Sequence, residues 1–374
     1  MHTSSRRHAL RLFVLGLAVA GFGLPAIARA DDDGQLVFTS SNASAGNALM
    51  VYATASDGSL TLRNQLATGG LGSGAGLGSQ GAVTLSGDGR YLFVVNAQSN
   101  TVSTFMIRRG ELRRTSVVDS GGLHPISVTE HDGLVYVLND QGAGNVAGFR
   151  NARGELQAIA GSARGLSAAG GTAPAQVGFG SDGDVLVVTE KATNRLTSYP
   201  VLADGRLGAP VVSASAGATP FGFAFDNQNH LLVSEAFGGA VGASAVSSYR
   251  FTDAAPATPI LVSASVPTTQ TAACWVVTTP NGKFAYATNT GSSSVSSYRV
   301  ARSGQIELAA AIAGNTGAGS SPIDAAVSRD GHRLFVLNAG SATISAFGIA
   351  MDGSLSAGGG AAGLPGSAVG LAAN

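Results

Sequence analysis

Residues Ser321 to Leu355 read SPIDAAVSRDGHRLFVLNAGSATISAFGIAMDGSL. Pro322 opens a short apolar run, Asp330-Gly331 is a turn pair, and Arg333 to Asn338 form a nearly continuous apolar segment. Thr343 to Ile349 form a third run, and Asp352-Gly353 turn the chain into a fourth. Runs of this length, rich in branched and aromatic residues and punctuated by Asp-Gly, read as strands of a meander. Glycine supplies the positive φ that tight hairpins require.

The same unit recurs along the chain. An aromatic residue closes the third run at Tyr52, Phe105, Phe149, Tyr199, Tyr249, Tyr298 and Phe347, at intervals of 53, 44, 50, 50, 49 and 49 residues. A period near 50 built of short strands predicts an all-β, seven-bladed β-propeller with four-stranded blades. The turns between first and second strands are Asp88-Gly89, Asp132-Gly133, Asp182-Gly183, Asn281-Gly282 and Asp330-Gly331. Those after third strands are Asp57-Gly58, Arg109-Gly110, Arg153-Gly154, Asp204-Gly205, Ser303-Gly304 and Asp352-Gly353, the fifth repeat departing with DAAPATPI. Second strands such as YLFVV and LVYVL are apolar on both faces, as strands sandwiched between neighbouring blades should be. The first repeat lacks a first strand and Leu364 to Asn374 lack a second, so the C-terminal strand is expected to join the N-terminal blade and close the ring.

Residues 1–30 are set apart. Arg6, Arg7 and Arg11 precede an apolar run from Leu12 to Ile27, and Ala28-Arg29-Ala30 is a small-x-small signal before Asp31-Asp32-Asp33. That pattern predicts a secretory signal peptide cleaved after Ala30, a propeller over 31–374, and a periplasmic or secreted monomer. No later run reaches the roughly 20 apolar residues of a membrane span. Without the leader 18 basic and 22 acidic side chains remain, with only two lysines, Lys191 and Lys283, which leaves no electrostatic footprint for nucleic acid. The single cysteine, Cys274, has no disulfide partner and reads as a small buried residue. No two histidines share a metal-ligand spacing, so neither metal nor cofactor is expected.

Candidate chemistry lies on the face carrying the second-to-third-strand loops. The residue ending each second strand is Asn96, Asn139, Glu190, Glu235, Asn289 and Asn338, with Ser40 or Asn42 in the first blade. Asn there reads as an Asx-turn former. The two Glu residues depart from the rule: Glu190 lies near Lys191 and Arg195, and could serve as a general base beside a cation or as half of a surface ion pair. His124, before Pro125, is the histidine placed on this face, whereas His131, His230 and His332 fall at the opposite turns and are expected to be solvated. Gln80, Gln176, Trp275 and Asp324 fall in first strands; Asp324 either faces channel water or bonds a neighbouring blade. The Gly-rich insert from Gly69 to Gly81 is followed by no helix, so it is no phosphate cradle.

Segments such as SGDGRYLFVVNAQSNTVSTF and SRDGHRLFVLNAGSATISAF resemble the lactonase-like seven-bladed propellers, which include bacterial 6-phosphogluconolactonase, fungal carboxymuconate cyclase and YVTN-repeat surface proteins. The resemblance implies a hydrolase or cyclase acting on a small acidic lactone. Glu190 in VVTEKATN resembles a glutamate of that family, and Asp140 in NDQGAGN the first aspartate of a family loop. HPIS puts His124 before the proline where the family has it after, and Asn145 stands at the loop's second aspartate. The expected roles are Glu190 as base, Arg195 or Lys191 as cation, and Glu235 and His124 as helpers. The alternative is a non-catalytic propeller whose partner is a protein or glycan rather than a small-molecule substrate.

Overall fold

A computed structural model of the chain describes residue 1 and residues 34–374 apart from 253 and 254, with only the backbone of 255 and 256. The leader expected at 1–30 and the start of the irregular DAAPATPI turn lie outside the described residues.

The strands form seven antiparallel sheets, each a blade running from an inner first strand to an outer fourth. We number blades from the N-terminus. The reference stretch is blade 7, with strands Pro322–Val327, Arg333–Asn338, Thr343–Ile349 and Leu355–Ala362. Gly331 sits at φ +75° in its first turn and Gly353 at +83° in its second. In blade 3 the outer strand is broken into Glu155–Ala158 and Arg164–Gly165, both pairing with Asn145–Ala152.

The seven aromatic anchors are all buried, Tyr52 being the most exposed at 4%. Each pairs with its blade's second strand, as Phe105 with Leu92 and Phe347 with Leu334. The core lies between blades: one cluster joins Phe38 and Val51 of blade 1 to Leu92 and Phe105 of blade 2. Each such aromatic or aliphatic side chain contributes about 1.5–3 kcal/mol when fully buried. A blade cannot bury both faces alone, so stability resides in the stack.

The ring closes as the sequence predicts, through a shorter strand. Val369–Ala373 pairs with Leu36–Ser40, making the sheet order C-terminal strand, second, third, fourth. The Leu36 N–H donates to Asn374 Oδ1 at 2.6 Å, which fastens the last residue.

First strands begin with a repeated kink. His124, Ala173, Thr219, Ala272 and Ser321 have φ between +45° and +58°, each just before Pro125, Pro174, Pro220, Ala273 or Pro322. Left-handed backbone is uncommon for residues with a Cβ. Here it is held from the preceding blade: the N–H groups of His124 and Thr219 donate to Asn100 Oδ1 and Asn194 Oδ1 at 2.7 and 2.6 Å.

Candidate functional site

In blades 2, 6 and 7 the Asn near the end of the second strand turns into its own blade, while Asn139 of blade 3 bonds Ser120 of the incoming connection. Asn96 Nδ2 donates to the hydroxyls of Thr101 and Ser103, Asn289 to Ser294 and Ser296, and Asn338 to Thr343 and Ser345, all at 2.8–3.1 Å. In these three blades the expected Asx-turn is replaced by a clasp between second and third strands, because paired hydroxyls face the Asn across the ladder.

Glu190 and Glu235 occupy the same position with a longer side chain, and both are fully buried. Glu190 Oε1 accepts from the Ser167 N–H at 2.9 Å and the Thr197 hydroxyl at 2.6 Å; Oε2 accepts from Thr193 at 2.8 Å and from the Ser167 hydroxyl. Glu235 Oε1 accepts from the Gly217 N–H and Ser247, and Oε2 from Ser265, at 2.5–2.8 Å. Burial raises the Glu235 carboxyl above the usual carboxylate range, while Ser247, Ser265 and Gly217 pull it back. Gly217 has to be glycine: a Cβ there would stand 2.2 Å from Glu235 Oε2. Both carboxylates thus pin the connection that arrives at their blade. No ion pair joins Glu190 to Lys191 or Arg195, whose side chain is exposed, so the surface ion pair considered from sequence is not what forms.

Strand side chains alternate, so the residue after each clasp leaves the blade. In blades 3 and 4 it is Asp140 and Lys191. His124 Nδ1 lies 2.7 Å from Asp140 Oδ1, their side chains 20% and 25% exposed. A carboxylate only accepts, so Nδ1 carries the hydrogen, and in the neutral ring Nε2 presents its lone pair. Lys191 crosses to blade 2's incoming connection, where Nζ donates to the Gly78 carbonyl at 2.6 Å and sits 4.6 Å from the Phe221 ring centroid. Burial lowers its ammonium to about 8, against the opposing pull of the Asp140 carboxylate. His124, Asp140 and Lys191 therefore form one cluster at the ring's inner rim, apart from Glu190, Glu235 and Arg195. Beside it, a cavity of about 460 Å³ is lined by His124, Leu123, Asn100, Gln98, Ser73 and Gln141.

Asp140 was reachable from sequence only through family resemblance. A direct signal existed: it follows Asn139 as Lys191 follows Glu190, so the two share a ring position one step beyond the clasp.

The remaining candidates resolve differently. His230 is not solvated; it is 8% exposed and its Nδ1 lies 2.8 Å from Asp226 Oδ2, at the face opposite His124. Asp324 bonds backbone, accepting from Ala325 and from Leu371 of the closing strand. Burial lifts its carboxyl to about 8, offset by the N–H groups of Ala325, Leu371 and Gly81. Cys274 is buried and its thiol is pushed up to about 11 by burial, so it is a poor nucleophile at neutral pH. Among the described residues no group of three His, Cys, Asp or Glu could hold a metal ion, and no helix is long and apolar enough to cross a membrane. Another cavity, about 520 Å³, opens on the opposite face and includes Thr84, Gln176, Phe223, Thr278 and Arg329, away from the cluster.

Comparison with known proteins agrees with this architecture. Residues 242–365 match the model of a family described as "Lactonase, 7-bladed beta-propeller", so this part of the chain is similar to that family. No curated protein sequence matches it. A putative 6-phosphogluconolactonase from Bacteroides uniformis superposes with a TM-score of 0.70 at 17% identity, over 90% of this chain and 99% of that one. The periplasmic gluconolactonase of Pseudomonas aeruginosa gives 0.67 at 19% identity over 90% and 98%. A functionally unknown protein from Desulfotomaculum acetoxidans gives 0.68 at 14% over 91% and 98%. At these identities the likeness is one of fold.

Proposed function

We propose that this lactonase-like propeller hydrolyses a small lactone bearing an acidic group, at the cluster of His124, Asp140 and Lys191. The observation that carries the reading is the 2.7 Å His124–Asp140 pair on the rim of a cavity, with a dehydrated ammonium on the neighbouring blade. Asp140 fixes the imidazole tautomer, and His124 Nε2 takes a proton from water as its oxygen attacks the lactone carbonyl. The tetrahedral intermediate collapses, the ring C–O bond breaks, and the imidazolium returns the proton to the departing oxygen, giving a hydroxy acid. Lys191 neutralises the substrate's acidic group or the oxyanion. In this reading His124 takes the role of base that sequence reasoning gives to Glu190, and Glu190 and Glu235 hold the blades.

Export of the mature chain from residue 31 to the periplasm or medium belongs to the same proposal, supported by the leader pattern of residues 1–30 and the single cysteine. The periplasmic gluconolactonase noted above is a precedent for the fold in that compartment.

A panel of sugar-acid and muconate-type lactones, followed by acid release, tests the activity. Turnover is expected, with His124→Gln and Asp140→Asn each losing about 10²-fold or more, the usual scale of a positioned base. No turnover on any lactone would sink the reading. It would favour a binding propeller for a protein or glycan, for which the exposed Leu71, Leu123 and Val241 on the same face speak.

A further inference from the structure

The connection entering blade 2 does not simply lead to its first strand. That strand is only Val83–Leu85, because the residues before it turn into the centre of the ring. The Ser79 hydroxyl donates to the Ile126 carbonyl in blade 3 at 2.7 Å, and the Gln80 N–H to the Ala175 carbonyl in blade 4 at 3.1 Å. The Gln80 side chain reaches blade 6, donating to the Val276 carbonyl at 3.1 Å and accepting from the Val276 N–H at 3.4 Å. Gly81 accepts from the Val128 N–H at 2.8 Å, and its own N–H is bonded to Asp324 of blade 7. Blade 5 makes room: a Cβ on Gly222 would lie 2.3 Å from Gln80 Oε1. Ser79 and Gln80 are 5% and 7% exposed. One short segment of blade 2 thus bonds to blades 3, 4, 6 and 7, and its outermost carbonyl, Gly78, receives Lys191.

We propose that residues 77–81 form a plug that separates the His124 face from the opposite vestibule and positions Lys191, with Gln80 as the residue that anchors the plug across the channel. The proposal rests on the reading of Lys191 as part of the active cluster, but its physical content does not need turnover. The plug gives Lys191 a carbonyl partner in place of water, and Phe221 covers a further side of the ammonium. The titratable groups acting on Lys191 are Asp140, itself bonded to His124, and Cys274. None belongs to the plug, so releasing the plug changes the hydration of Lys191 and leaves its charged neighbours in place.

The chain contains two lysines, and Lys283 is exposed, so it serves as an internal standard. Reductive methylation across pH, quantified by mass spectrometry of the two lysine peptides, reads both titrations without substrate. In the wild type Lys191 is expected to titrate near 8. In Gln80→Ala, Lys191 should move up toward the free-lysine value of about 10.4, each unit of rise lowering its reaction rate about tenfold at a pH below both values. Ser79→Ala, a smaller change at the same plug, should move it in the same direction by less. An unshifted Lys191 in a folded Gln80→Ala would overturn the proposal, as would a wild-type Lys191 titrating together with Lys283. If Gln80→Ala fails to fold, the Ser79→Ala titration decides in the same way. Loss of the lactone reading with the expected methylation pattern would remove the catalytic role and leave the plug standing.

Discussion

Replacing Glu190 separates a clasp from a catalyst, and the structure sets the size of the effect. Glu190→Ala strands the fully buried Thr197 hydroxyl and the half-buried Ser167 N–H, which now face no acceptor. An orphaned buried polar group costs about 1–3 kcal/mol, the lower end applying to the half-buried N–H. The one buried methylene that is lost adds about 0.8 kcal/mol. A loss of about 3–5 kcal/mol is expected, concentrated on the connection from 161 to 171 that Ser167 anchors. Glu190→Gln is milder: its carbonyl keeps the Thr197 and Ser167 N–H bonds, and its amide can donate to the Ser167 and Thr193 hydroxyls, which rotate to accept. Exchanging a carboxylate's bonds for an amide's costs about 1 kcal/mol. Urea unfolding monitored by the fluorescence of the single Trp275 gives both values from the midpoint at constant slope. A Glu190→Ala variant within 1 kcal/mol of wild type would refute the clasp. Lactone turnover abolished in Glu190→Gln at an unchanged midpoint would return the base to Glu190.

Two further outcomes follow from the shifted groups. Asp324 holds its proton up to about 8 in the fold, against 3.8 for the free group, so its contribution to stability is complete below pH 4 and is lost as pH rises toward 8. Wild-type stability should fall between pH 5 and pH 8 by at most about 1.4 kcal/mol per unit from this source, and Asp324→Asn should flatten that slope; parallel slopes of urea midpoint against pH would contradict it. Lys191 is cationic below about 8, so kcat/KM should decline above that pH, and Lys191→Met should weaken acidic lactones far more than neutral analogues. Equal losses on both substrate types would show that Lys191 meets no anion.

The blades were legible because their signals are local. Asp132 and Gly133 have φ of +46° and +79°, the pair of left-handed residues that a tight hairpin needs, and the dipeptide announces this in the chain. The aromatic anchors are legible for a related reason: each fills the same inter-blade slot, so volume is repeated at the repeat's own period. The plug was not legible. Nothing in GSQG distinguishes an ordinary Gly-rich turn from one that crosses the ring, because its partners Ile126, Ala175, Val276 and Asp324 are contributed by four other blades. The buried His230–Asp226 pair was missed similarly, since a turn histidine shows its burial only when the neighbouring blade is in place.

The proposal that moves the base away from Glu190 has a more specific ground, and it is visible inside the repeat. In three of the four blades whose second strand carries Asn there, the third strand offers hydroxyls five and seven residues on, as in Thr101 and Ser103, Ser294 and Ser296, or Thr343 and Ser345, whereas Asn139 of blade 3 faces Asn145 and bonds Ser120. After Glu190 the corresponding pair is Arg195 and Thr197, and the shorter Asn would find one hydroxyl where its siblings find two. The longer carboxylate recovers partners in Thr193 and Ser167. In blade 5 Ala245 and Ser247 repeat the loss, and Glu235 recovers Ser265 and Gly217. The Glu residues therefore compensate a missing hydroxyl, and departure from the repeat by itself is not evidence of catalysis. The next residue along carries no such compensation. At that position Ser41, Ala97, Asp140, Lys191, Ala236, Thr290 and Ala339 follow one another around the ring, and its two charges sit in adjacent blades of opposite sign. No hydroxyl ladder requires them, which is why the cluster built on Asp140 and Lys191, with His124 bonded to the first, is where function is sought.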